Sequence, residues 1–197
     1  MKITLYKPEL FASAARFVST DPHKTFVLQG VNIEPHPQHG VIVVGLDGHR
    51  MFVGYDENAT FEGDRRPVAI QPVKSKLPAA WFNAKCLELD GESSRLYGPR
   101  GPVINSAPIL DGTFPEWRRV IPEPPKALNH SRIGMNYRYV FDFGDIGDAI
   151  GSRAQVHPNS TDPALVTFGN RDDCLGILMP ERLKEDWQRP KLPGWLT

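Results

Sequence analysis

Cysteine is nearly absent: Cys86 and Cys174 are the only two in 197 residues, and they stand far apart. That excludes a disulfide framework and the paired spacing of a structural zinc site, and it fits a reducing cytoplasm. Net charge is missing as well. Lys plus Arg and Asp plus Glu each number 23, so no overall basic footprint drives tight nonspecific nucleic-acid binding, and any DNA contact must come from local patches. Nowhere do 18 apolar residues run together, the length a membrane-spanning helix needs. The opening MKITLYKPELFASAARF is broken by Lys7, Pro8, Glu9 and Arg16, so it lacks the apolar core of a signal peptide. The chain also has no Gly-rich phosphate loop, no His-Glu-x-x-His and no Gly-x-Ser-x-Gly elbow. The expectation is a protein that is not an enzyme, with no catalytic residues and no cofactor.

What is plentiful is proline, 19 residues, and glycine, 17, which favours short strands and turns over long helices. A hydrophobic fraction of 40% suffices for a buried core. Leu10, Phe11, Ala14, Ala15 and Val18 form one stripe of an amphipathic helix over 8–18, with Pro8 suited to its first turn. A strand over 25–34 follows, then a hairpin whose arms, 41–46 and 50–55, flank Asp47-Gly48-His49. The same order recurs: a strand at 67–70, a helix over 72–84 weakened by Pro78, and strands at 86–89, 94–98 and 103–107. A third round has a strand at 131–135, a helix over 137–150, and strands at 154–157, 164–168 and 174–179. The helices start near residues 7, 72 and 136, a period of 64 to 65 residues, which suggests duplication of one strand-helix-three-strand unit. The expected fold class is α+β, with about three such modules per chain. Residues 1–112 would form a domain of two modules, 113–127 a proline-dense connector, 128–183 a half domain of one module and 184–197 a tail.

The hairpin poses a question of chemistry, because His49 and Arg50 are costly to bury and stand where its second strand begins. A catalytic or metal histidine, a nucleic-acid contact and a structural pair shaping a pocket all compete. Three segments bear on the choice: LDGHRM (46–51), DGTFPEWRRVIP (111–122) and ILMPER (177–182). Together, in this order, they resemble signatures of the bacterial DNA polymerase III beta sliding clamp family. The resemblance covers roughly residues 7 to 182 and corresponds to the family's middle domain plus the second half of its third; the family's first domain has no counterpart here. It implies a DNA-clamp-like fold and a hydrophobic pocket that takes a short linear peptide of the Gln-Leu-x-Leu-Phe sort from polymerases and other replication and repair proteins. By motif position the pocket would comprise Leu46, Gly48, His49, Arg50, Met51, Pro115, Arg119, Val120, Leu178, Met179, Pro180 and Arg182. Apolar anchors need holes and an extended peptide backbone needs donors, which suits such a mixture. Methionine adds adaptable contact surface. Micromolar affinity, about −8 kcal/mol, is expected. Leu46 stands where the family generally has Thr, Glu181 where it has Met or a similar residue, and Trp117 where it commonly has Tyr. Peptide preference would shift accordingly. In this reading His49 and Arg50 lock the hairpin against the connector.

The resemblance also implies helices facing DNA, with Lys7, Arg16, Lys74, Lys76, Lys85 and Arg138 as candidate phosphate contacts, against the alternative of ordinary surface solubility. Family rings contain twelve modules, so four copies of a three-module chain would close one. The expected partners are therefore a replication or repair protein carrying a clamp-binding peptide, further copies of the chain, and double-stranded DNA only if a ring assembles, with no membrane. The location would be cytoplasmic, or at the nucleoid when on DNA. The competing function is a non-encircling module that occupies or sequesters clamp partners. Glu34, His36 and His39 superficially resemble metal ligands but lie in a proline-containing loop with no fourth donor nearby, and Asp142, Asp145 and Asp148 read as a solvated helix face. Leu192, Trp195 and Leu196 in the tail are apolar anchors for its own pocket, a neighbour's pocket or an oligomer contact.

Overall fold

Pro8 presets the backbone for the first turn of helix α1 (Pro8–Ala15), and Leu10, Phe11, Ala12 and Ala14 are buried on it. This helix and the strands around it belong to a computed structural model that describes residues 1–64, 66–72, 81, 83–123, 133–159 and 162–181. The first module is β1 (Lys2–Leu5), α1, β2 (Val31–Pro35), β3 (Val41–Leu46) and β4 (Arg50–Asp56). After β5 (Thr60–Glu62) the second follows with β6 (Val68–Ile70), β7 (Cys86–Leu89), β8 (Ser93–Gly98) and β9 (Gly101–Ser106), ending in the short β10 (Ile109–Leu110). The third holds α2 (Tyr137–Ala149), β11 (Ala154–Asn159), β12 (Asp162–Phe168) and β13 (Arg171–Leu178). Helix α2 starts 129 residues after α1, from Pro8 to Tyr137, two periods of the repeat.

These strands form two antiparallel sheets, one in the order β5-β1-β7-β8-β9 and one in the order β10-β6-β2-β3-β4-β13-β12-β11. The leading strands are exchanged. Strand β1 leaves its own module to pair with β7, Ile3 opposite Leu89, while β6 pairs with β2, Ile70 opposite Val31. The third module joins through β13, whose Ile177 lies opposite Met51 of β4. Alternation along each strand separates two faces. Val31, Ile33, Val41, Val43 and Phe52 turn into the main core with α1, α2 and the inner residues of the smaller sheet. Val44, Met51, Val53 and Ile177 turn the other way. Gly176 lets α2 approach β13, since a Cβ there would sit 2.2 Å from a ring carbon of Phe143.

Several sequence expectations shift. Residues 26–29 of the anticipated first strand form a 3₁₀ turn, closed by Leu28 N–H donating to Thr25 O at 2.9 Å, so the strand starts at Val31. Of the strand expected at 131–135, residues 131 and 132 lie outside the described residues, and Gly134 makes only an isolated bridge to Glu181. The helix expected over 72–84 lies outside them for 73–80 and 82, with Trp81 buried against Phe11 at 6.0 Å between ring centroids.

Candidate peptide-binding site

The outer face of the larger sheet carries a second apolar cluster. Leu46 opposes Met51 across the β3–β4 hairpin, Met51 opposes Ile177 across β4–β13, and Trp117 of the connector lies over them. Met51 and Trp117 are 3% and 7% exposed. Around them Ile42, Leu46, Phe114, Ile121, Leu165 and Leu175 are half-buried, leaving apolar surface at the rim. Met179 follows Ile177 by two residues and is 39% exposed; Val120, on the connector, is 43% exposed. Arg119 and Pro115 are exposed beside it, and Pro180 is half-buried. Thus residues from all three sequence segments meet on one face. Arg182 lies outside the described residues.

The hairpin is built to hold its edge of this cluster. Gly48 takes a left-handed conformation at φ +89°, which costs a side-chain-bearing residue steric strain. The Asp47 carboxylate accepts from the backbone N–H groups of His49 and Arg50 at 2.9 and 3.0 Å, and Lys24 Nζ donates to the Asp47 carbonyl at 2.5 Å. Met179 N–H donates to His49 O at 2.8 Å, extending the β4–β13 ladder past the end of β13.

Three expected pocket residues, Arg50, Leu178 and His49, have partners elsewhere. Arg50 and Leu178 are cross-strand partners on the core side of the sheet, opposite in facing to Met51 and Ile177. Leu178 is fully buried in the main core. Arg50 Nε donates to Asp47 at 2.8 Å, its guanidinium pairs with Asp142 of α2, and it lies 5.0 Å from the Phe17 ring centre and 4.6 Å from that of Tyr139. Burial opposes this charge, but the hydrogen bonds and charges of Asp47 and Asp142 prevail, raising its already high pKa. His49 stacks on Tyr139 at 5.8 Å. His49, in the turn before β4, and Arg50, the first residue of β4, therefore both fasten the hairpin to α2, not to the connector.

The connector is fixed instead by Glu34. Arg118 grips its carboxylate through two nitrogens at 2.6 and 3.1 Å, Trp117 Nε1 donates to it at 3.3 Å, and the Arg118 guanidinium covers the Trp117 ring at 4.2 Å. Glu34 is thus a positioning residue that the sequence had suggested only as a metal-ligand look-alike. Its position on the outward face of β2 was the available signal. His36 and His39 sit beside the Tyr55 ring, and the described residues contain no cluster of three or more metal-binding side chains.

Among the residues considered for DNA, Lys7 bonds Asp173 at 2.9 Å and Arg16 bonds Asp142 and Asp145 at 3.2 and 2.8 Å. Asp142 and Asp145 are consequently ion-pair partners of the first module and not merely a solvated face. Lys85 and Arg138 are exposed, the latter 5.9 Å from the Tyr137 ring centre; Lys74 and Lys76 lie outside the described residues.

No family model matches the sequence, and no curated protein matches it. Solved structures do. The Bartonella birtlesii DNA polymerase III beta sliding clamp, bound to griselimycin, superposes with TM-score 0.64 at 18% identity over 92% of this chain and 66% of that one. The fold is the sliding-clamp fold. Caulobacter crescentus pol III beta gives TM-score 0.63 at 16% identity, covering 92% of this chain and 66% of its own. The Borrelia burgdorferi beta subunit, in complex with a natural product, gives 0.62 at 12% identity over 93% and 63%. The chain therefore spans slightly under two thirds of the length of these clamps, and identities this low carry the architecture alone.

Proposed function

We propose that this clamp-fold chain binds linear peptides of replication and repair proteins on the outer face of its larger sheet, and takes part in DNA replication as a processivity-type factor without catalytic activity of its own. The observation that carries the reading is the convergence of Leu46 and Met51, Trp117, and Ile177 in one apolar cluster with an exposed rim. An apolar rim on a rigid sheet suits leucine or aromatic anchors; the exposed thioether chain of Met179 gives it an adaptable wall and the exposed Val120 a fixed one. Fluorescence anisotropy with a labelled Gln-Leu-x-Leu-Phe peptide tests it. A dissociation constant near micromolar is expected, weakened about tenfold or more by Met179→Glu or Val120→Glu, since a desolvated carboxylate opposes apolar docking. Equal binding by both variants and the parent would refute the assignment.

A second reading has its own support. Lys7 and Arg16, two of the cations considered for DNA, are already paired with Asp173 and with Asp142 and Asp145, which lowers their attraction for phosphate. A non-encircling module that occupies clamp partners fits that balance. Light scattering discriminates: a mass about four times 22.1 kDa supports a twelve-module ring, and a mass of one chain supports the second reading.

A further inference from the structure

Among the described residues, four strands end the two sheets: β5 and β9 in the smaller, β10 and β11 in the larger. A bare sheet edge is a template for another strand, and three of these edges are blunted. Strand β5 has three residues, β10 has two, and β11 carries Pro158 with a register shift between His157 and Asn159. Strand β9 differs. Its six residues run in unbroken register against β8, with Pro102 only near the start. Ala107 N–H donates to Glu92 O at 2.8 Å, which makes Ser106 and Ser93 a non-hydrogen-bonded pair, and by alternation Ile104 and Arg95 are another. The backbone N–H and C=O groups of Ile104 and Ser106 therefore point away from β8, as does the Pro102 carbonyl. The edge is apolar as well. Ile104 is 63% exposed on the face away from the core, and Val103, on the core-facing side with Leu96, is 52% exposed.

We propose that β9 pairs with β9 of a second copy of the chain, antiparallel about a two-fold axis at Ile104, joining the two smaller sheets into one. In that register Ile104 exchanges both backbone hydrogen bonds with its counterpart. Ser106 N–H of each copy donates to the Pro102 carbonyl of the other, so the N–H that proline lacks removes only one bond at each end. The two Ile104 side chains lie side by side. A second copy is favoured over an unrelated strand for two reasons. The fold already contains a joint of this kind: β4 and β13, each the last strand of its module, pair antiparallel with Met51 opposite Ile177 and Val53 opposite Leu175, and β9 is the last long strand of the second module. The same register brings the exposed Arg100, in the β8–β9 turn, toward the exposed Glu92 of the other copy, next to the end of its β9. The joint needs neither peptide binding at the Met51 cluster nor a closed ring.

The test is light scattering of the full chain over a concentration series, with Ile104→Val and Ile104→Lys beside the parent. The parent and Ile104→Val are expected to reach at least two chain masses of 22.1 kDa, and Ile104→Lys, which sets like charges against each other at the axis, to stay at one. Mild oxidation of Ile104→Cys gives a second readout that does not depend on the lysine variant folding. Cα atoms of a hydrogen-bonded antiparallel pair stand about 5.5 Å apart, within reach of a disulfide. A covalent two-chain species should therefore form about tenfold more from Ile104→Cys than from Arg66→Cys, which is exposed elsewhere. A two-chain mass lost in Ile104→Lys supports the joint even where no ring closes. A parent that stays at one chain mass overturns the proposal and leaves the edge to a strand of another protein. Assembly of Ile104→Lys like the parent, or cross-linking no greater at residue 104 than at residue 66, also overturns it, while a ring closed through other edges and the peptide site still stand.

Discussion

Arg50 and Met51 are neighbours in sequence with opposite destinations, and the two-residue period of a strand is the whole reason. Met51 joins Trp117 and Ile177 on the outer face, whereas Arg50 lies between Asp47, Asp142 and two aromatic rings on the inner one. The LDGHRM segment was enough to expect a hairpin and a pocket edge, but not which side each residue takes, because a motif names positions without fixing the register of β4 against β13. The same distinction separates Leu178 from Met179. Leu178→Ala should cost about 2–5 kcal/mol in urea denaturation because it empties main-core volume, while Met179→Ala should change stability by about 0.5 kcal/mol or less and act on peptide affinity. Cys174 offers a further check at this scale. Burial first, then the charge of Asp173, pushes its thiol up to about 12. Mass spectrometry after iodoacetamide treatment at pH 8 should therefore find Cys174 alkylated only once the chain is denatured.

Among elements, α2 is the one whose attachment was least legible. A helix over 137–150 was expected from the third round of the repeat, nearly the observed span, and Asn136 caps it by accepting from Arg138 N–H at 3.1 Å. Nothing local to the helix disclosed that Asp142 would meet both Arg16 and Arg50, since those partners come from α1's end and from β4. Asp142→Asn should lower stability by about 1–3 kcal/mol and speed hydrogen exchange in α2 more than in β2 or β3. On β13, burial pulls the Asp173 carboxyl upward, but hydrogen bonds from Arg171 and Lys7, with their charges, outweigh it and hold it below the usual carboxylate range. A folded value depressed in this way contributes stability above the unfolded pKa of about 3.9, and that contribution is lost as pH falls through the folded value. Asp173→Asn should accordingly flatten the acid limb of a stability-versus-pH curve measured by urea denaturation, with its largest deficit at neutral pH. The connector illustrates the reverse case: proline density led to the expectation of an extended segment, but only the fold brings Arg118 and Trp117 to Glu34, more than eighty positions earlier.

At the scale of the molecule, the repeat was legible because helices and hairpins carry periodic signals, and α1 and α2 fall two periods apart. Strand β1 was not among the expected elements: the alternation of Lys2, Ile3, Thr4 and Leu5 is a short run before a helix and gives no indication of a partner in another module. Long-range pairing is a property of the assembled core, where Ile3 and Leu5 meet Leu87 and Leu89. The sliding-clamp architecture emerges at this level even though sequence identity to clamps of that fold is 12 to 18% in the comparisons given above. A fragment ending at residue 64 retains β1 through β5 but lacks β7, the neighbour that joins β1 to the rest of its sheet, and it lacks β6 beside β2. Circular dichroism of that fragment should show no cooperative thermal transition, whereas the full chain should show one.

The exchange of β1 and β6 has a bearing on how the chain comes into being. During synthesis Ile3 must wait until Leu89 has cleared the ribosome, and Gly54 must wait for its ladder partner Cys174, 120 residues later. Each wait leaves a hydrogen-bonding edge uncovered on a nascent polypeptide, which is the condition under which strands associate with the wrong neighbour. Production yield for this protein should consequently depend on elongation pace and chaperone supply more steeply than its equilibrium stability alone would suggest.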